Sequence, residues 1–254
     1  MNWQEIANNL ILIPPQPIAL IHFLGGAFVA TAPQATYRRL LEGLANQGYA
    51  VIATPFLTSV DHAGIAEEAL HQFEDTVDRL QRTARLPQFL PIYGIGHSMG
   101  CKLHLLIGSL FEVKRAGNIL ISFNNAPIDK AIPFADLITP AVPIEFSPNP
   151  TQTNRLVERH YQVPRNLLVK FSNDTLDQTL RLSGLLEQRF PGMISIQRLA
   201  GNHLTPLGQD VRWQPGDTFT PLDAVGQWFR QELYKDVNHL EKAILRWLDP
   251  LSVI

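Results

Sequence analysis

Short, almost unbroken apolar runs alternate along this chain with longer segments of helical period, and that alternation leaves few folds open. Ala19-Leu20-Ile21-His22-Phe23-Leu24 is one such run, closed by Gly25-Gly26; Tyr49–Ala53, Leu90–Ile95, Gly117–Phe123 and Asn166–Phe171 are others, and Ile194–Leu199 reads as a further strand. A strand apolar at successive positions offers no face to water and belongs in a sheet covered on both sides. Leu10-Ile11-Leu12-Ile13, ended by Pro14-Pro15, reads as a further short strand. Between the runs, Pro33 to Gln47 sets Tyr37, Leu40, Leu41 and Leu44 on one helical face, with Gly48 as its stop. Ile65 to Ala84 repeats Ile65, Ala69, Phe73, Val77 and Leu80 at threes and fours. Met99 to Phe111, Gln178 to Arg189, Pro221 to Tyr234 and Val237 to Leu248 complete the helices. Strand followed by helix, repeated, implies an α/β fold with a mostly parallel central sheet flanked by helices. The expectation is one domain over residues 1–254.

The rhythm breaks once. Pro127, Pro133, Pro140, Pro143, Pro148, Pro150 and Pro164 crowd a stretch at about 124–164, too many for regular core elements. A connection of that length inside a compact domain reads as an inserted cap or lid. Its apolar residues, Phe134 and Phe146 among them, serve either an apolar acyl pocket or the packing of the cap on the body.

Gly96-His97-Ser98-Met99-Gly100 lies where a strand hands over to a helix. A serine between two glycines at such a junction suits a nucleophile elbow, in which the glycines let the two backbones approach and the helix amides face developing negative charge. A serine hydroxyl needs a base to remove its proton. Of the eight histidines, His203 follows a strand late in the chain, in Gly201-Asn202-His203-Leu204, and is the expected base. His97 should point away from Ser98, and His104 should face the core. His22 either borders the site or is a core histidine, while His62, His71, His160 and His239 read as surface residues. Asp174, just past the strand Leu167–Phe171, is the expected acid; Asp177 is the alternative, or a helix cap, and Asp129 a distant third. The oxyanion donors should be the amide of Met99 and one from Gly26 or Ala27. Phe28, His97 and Phe134 are expected to border the substrate pocket.

Gly25-Gly26, Gly96 to Gly100, Asp174 and Gly201-Asn202-His203, in this order, resemble the α/β-hydrolase superfamily over most of the chain. His22 to Phe28, Phe123-Asn124-Asn125-Ala126-Pro127 and Phe171-Ser172-Asn173-Asp174-Thr175 look more narrowly like an uncharacterised esterase-like family of cyanobacteria and plastids. The wider resemblance implies the α/β-hydrolase fold and a Ser-His-Asp triad; the narrower one implies little about substrate. Cys101-Lys102 departs from the small residues that many hydrolases place after the elbow.

These features support a serine esterase or thioesterase, acyl transfer included, acting on a small-molecule acyl substrate without cofactor or metal. A second reading keeps the hydrolase fold for ligand binding or assembly without turnover. A third takes Gly94 to Gly100 as a dinucleotide turn, but the next strand ends in Phe123-Asn124-Asn125, with no acid for a ribose. A net charge of -2 without a basic stripe speaks against nucleic acid. One cysteine, Cys101, excludes an internal disulfide and gives no support for a zinc site. With neither a signal-like start nor an apolar run of membrane length, a cytoplasmic protein is expected. Oligomeric state has no sequence signal.

Overall fold

The apolar runs between Ala19 and Phe171 become strands of one sheet that bury both faces, while Ile194–Leu199 forms a partly exposed edge. The structure, a computed structural model, describes residues 1–127, 145–207 and 237–250. Phe134, Asp129, the segment Pro221 to Tyr234 and residues 128–144 of the expected cap lie outside the described residues. The elements are β1 (Gln4–Ile6), β2 (Asn9–Leu12), β3 (Ala19–Leu24), α1 (Pro33–Thr36), α2 (Arg38–Asn46), β4 (Tyr49–Ala53), α3 (His62–Arg82), β5 (Ile92–His97), α4 (Met99–Leu110), β6 (Gly117–Ile121), α5 (Pro150–His160), β7 (Asn166–Phe171), α6 (Thr179–Arg189), β8 (Ile194–Leu199) and α7 (Val237–Leu248). The eight strands run in the order β1-β2-β4-β3-β5-β6-β7-β8. From β4 to β8 every pairing is parallel, whereas β1–β2 and β2–β4 are antiparallel. No helix among the described residues is long and apolar enough to cross a membrane.

Alternate residues of each strand serve opposite layers. Ile21, Phe23, Val51, Ile95, Ile119 and Val169 meet Leu40, Leu41 and Leu44 of α2 and Leu240 and Ile244 of α7. The intervening Leu20, Ala50 and Ile52 meet Phe73 and Leu80 of α3, and Leu120 and Leu168 meet α4, α5 and α6. Between α3 and α5, α4 is buried from Met99 to Ser109, which explains its lack of a polar face.

Four local readings change. β1 escaped notice because Gln4 and Glu5 are polar and exposed at the sheet edge. The expected helix from Pro33 divides at Tyr37, whose side chain turns wholly inward. α3 begins at His62, earlier than the apolar periodicity suggests, with Asp61 capping the Gly64 amide. Finally, α5 forms inside the proline-rich stretch: Pro150 occupies its first turn, where a missing N–H costs nothing, and Asn149 and Gln152 close a capping box.

The tightest backbone contact joins α4 to β3. A Cβ on Gly100 would stand 2.0 Å from the Leu24 carbonyl oxygen and 2.7 Å from that of Gly25. We expect Gly100→Ala to destabilise the protein by about 3 kcal/mol or more, since the obstacle is backbone and cannot rotate away. Gly184→Ala, in α6 with nothing within 4 Å of the added methyl, should instead stabilise by roughly 0.5–1 kcal/mol. Urea unfolding of the two variants checks both, and equal midpoints would refute the close-approach argument.

Candidate active site

The junction of β5 and α4 is a strained turn. Ser98 has φ 53° and ψ −114°, a conformation that a residue with a Cβ adopts only where its surroundings impose it. The strand is pinned by the Ser98 amide donating to the Ile121 carbonyl at 2.9 Å. A Cβ on Gly96 would meet the Cys101 nitrogen at 2.6 Å, so strand and helix close on each other with backbone on both sides. Both motif glycines face protein backbone at these contacts, which suits an elbow better than a turn opened for a pyrophosphate.

Three sequence-predicted residues come together here. His203 Nε2 lies 2.9 Å from Ser98 Oγ, and His203 Nδ1 lies 2.8 Å from Asp174 Oδ2. All three residues are under 10% exposed: Ser98 8%, His203 9% and Asp174 7%. The Asp174 amide bonds back to Phe171 at the end of β7, while its Oδ1 accepts from the Leu176 amide. Burial alone would raise the Asp174 pKa, but the hydrogen bond and charge of His203, together with Ser122 and the Leu176 amide, hold the carboxyl below its usual range. The His203 loop is braced by its own residues. Gly201 takes φ 126°, the Asn202 amide donates to Thr205 Oγ1, and the Leu204 amide donates to Asn202 Oδ1. Asp177 lies elsewhere: it accepts from Lys170 Nζ at 3.1 Å and from the Thr179 amide at 2.8 Å, at the start of α6.

A second chain of hydrogen bonds holds the turn after β3 against the elbow. The Gly26 amide donates to Tyr37 Oη at 2.8 Å, Tyr37 Oη lies 2.7 Å from His97 Nδ1, and His97 Nε2 lies 2.8 Å from the His203 carbonyl. A carbonyl only accepts, so Nε2 carries the proton, Nδ1 accepts, and the Tyr37 hydroxyl donates. His97 stays neutral, its pKa pushed down to about 3 by burial and then by His203. The Gly26 amide, one of the expected oxyanion donors, is thus already spent on Tyr37. The amides of Met99 and Ala27 have no acceptor among the described residues. Tyr37 was readable in the sequence only as part of an apolar face; no periodicity reveals where its hydroxyl ends.

The cavity at Ser98 is small, about 40 Å³, and is lined by Ala27, Thr58, His62, Met99, Lys102, Asn124, Asn125, Ala126 and Phe146 together with the serine. Phe28 and His97 do not line it. The Phe28 amide is tied to Thr58 Oγ1, and His97 is enclosed in the chain just described. His62, read from the sequence as a surface residue, is 3% exposed and stacks on Phe146 with ring centroids 4.3 Å apart. Among the described residues neither of its ring nitrogens has a hydrogen-bond partner, and Asn125 Oδ1 is likewise unpartnered. Lys102 is 1% exposed; its Nζ donates to the Pro148 carbonyl at 2.8 Å and lies 5.3 Å from the Phe146 ring centre. Burial lowers the Lys102 pKa to about 7, and burial followed by Lys102 lowers that of His62 to about 3.

The remaining histidines play other parts. His22 belongs to the core, stacked on Phe73 and bonded to Thr54 and Arg115, and His104 is buried beside it. His71, His160 and His239 are exposed.

Comparison with solved structures places this architecture. A soluble variant of monoglyceride lipase from Saccharomyces cerevisiae, in complex with a substrate analogue, matches with a TM-score of 0.62 over 100% of this chain and 96% of its own, at 12% identity. The esterase domain of a Rhodothermus marinus protein matches at 0.52, covering 88% of this chain and 92% of its own at 18% identity. Fluorophosphonate-binding serine hydrolase F of Staphylococcus aureus matches at 0.54, covering 77% and 85% at 15% identity. At these identities the likeness establishes the α/β-hydrolase fold. No curated protein sequence matches the chain. A family model described as "Protein of unknown function (DUF1350)" matches residues 2–250, and the chain belongs to that family.

Proposed function

We propose that the protein is a serine hydrolase of carboxylic esters or thioesters. The observation that carries this reading is the continuous path from Asp174 Oδ2 through the His203 ring to Ser98 Oγ, with contacts of 2.8 and 2.9 Å, on a strained elbow. In the proposed cycle His203 Nε2 takes the hydroxyl proton as Ser98 Oγ attacks the carbonyl carbon, and Asp174 holds the Nδ1–H and stabilises the imidazolium. The tetrahedral oxyanion is received by the Met99 and Ala27 amides, aided by the amino end of α4. Collapse expels the alcohol or thiol, which His203 protonates, and water deacylates the serine by the same steps in reverse. The related architecture of an esterase, a lipase and a serine hydrolase supports the class.

A fluorophosphonate probe tests this directly. Wild type should label, and both Ser98→Ala and His203→Ala should not; folded wild type that resists labelling would end the hydrolase reading. Asp174→Asn should lower ester turnover by on the order of 10⁴-fold, because Nδ1–H then loses its charged acceptor. Asp177→Asn should change turnover by less than about threefold, its bonds serving the start of α6. A reversed order of these two effects would transfer the acid to Asp177.

Tyr37→Phe probes the positioning chain. Removing the hydroxyl strands the Gly26 amide and His97 Nδ1, so about 1–3 kcal/mol of stability and roughly tenfold in kcat should be lost. KM should move little, and a change in KM alone would contradict a positioning role.

A further inference from the structure

Lys102 is the least expected residue near Ser98. One turn into α4, on a helix buried from Met99 to Ser109, it brings an ammonium group to the cavity that the serine lines. Of its three donor positions, one goes to the Pro148 carbonyl. No carboxylate among the described residues pairs with it; the ion pairs there are Arg38–Glu42, Lys170–Asp177 and His203–Asp174. A buried lysine without a counter-ion gives up its proton readily, and a bound anion would supply the missing charge and hold the ammonium form. His62 lines the same cavity, with both ring nitrogens buried and unpartnered among the described residues and the ring stacked on Phe146. A neutral imidazole offers one N–H. Lys102 and His62 together hold spare donors in a recess adjoining the nucleophile.

We infer that Lys102 and His62 form an anion recess that selects acyl groups carrying their own carboxylate. This rests on the proposed role of Ser98 and names the substrate class: hemiesters or hemithioesters of short dicarboxylic acids. The chain is short because Ser98 and Lys102 stand one helical turn apart and border one cavity with His62, so only a few atoms separate carboxylate from scissile carbonyl. A carboxylate suits the site because its two oxygens meet a lysine and an imidazole N–H, whereas a phosphate dianion would ask for more donors than these. Asn125 Oδ1 accepts and does not donate, so the anion belongs to Lys102 and His62.

Binding to Ser98→Ala protein reads the recess without turnover. In isothermal titration, monomethyl succinate should bind at least about tenfold more tightly than methyl 4-methylpentanoate, its uncharged isostere. In the Ser98→Ala/Lys102→Met protein that preference should fall to within about threefold, since methionine keeps the length and loses the charge. His62→Leu in the Ser98→Ala background should reduce the preference about threefold, and it carries the test if the methionine variant does not fold. Equal affinity for the two esters, or a preference left undiminished by loss of Lys102 or of His62, would overturn the inference. Should wild type resist the fluorophosphonate while the hemiester preference holds, the hydrolase reading falls and the recess stands as a ligand site.

Discussion

The first turn of α4 rests directly on the carbonyls that end β3, with no side chain between them at Gly100. Much of the site depends on that contact. It presses the turn Gly25 to Ala27 against the elbow, so that a Cβ on Gly26 would stand 3.4 Å from Ser98 Cβ. It also lets α4 start immediately after Ser98, which forces the serine into positive φ and aims the amino end of the helix at the same space. Sheet, helix and turn therefore share one narrow geometry, and loosening any of them would move the others.

The buried polar groups around the elbow and the cavity are of two kinds. Those that hold the elbow are closed circuits: Gly26, Tyr37, His97 and the His203 carbonyl leave no hydrogen-bonding position of the phenol or imidazole idle. The Tyr161 hydroxyl shares this character, accepting from Asn118 and donating to Asn166 at 2.7 Å each. A buried group gains from such closure because an unmade bond in a low-dielectric interior goes uncompensated. His62 and Lys102 are of the second kind, buried at the cavity with positions left open.

Why the acid is presented at Asp174 and not Asp177 follows from local bonding. Asp174 is tied to the strand end through its amide and to Leu176 through one carboxylate oxygen, which leaves the other oxygen directed at His203. Asp177 spends both oxygens on Lys170 and Thr179. Two residues of the same chemistry, three positions apart, thus acquire unrelated environments.

Sequence alone determined the α/β class, because continuous apolar runs have only one comfortable place, a sheet covered on both faces. It also marked Ser98, Asp174 and His203 as candidates, since Gly-x-Ser-x-Gly at a strand–helix junction and the later strand ends are local patterns. Tertiary structure alone decided what depends on contacts distant along the chain. Tyr37 meets His97 across 60 positions, and Lys102 meets Pro148 across 46. His62 looks polar and exposed in its own neighbourhood and is buried because Phe146 lies on it. Gly26 looks like a free donor until Tyr37 reaches its amide. Periodicity reports which side of an element avoids water, but a hydroxyl, an imidazole or an ammonium acquires its role from the partner it meets, and that partner is chosen by packing.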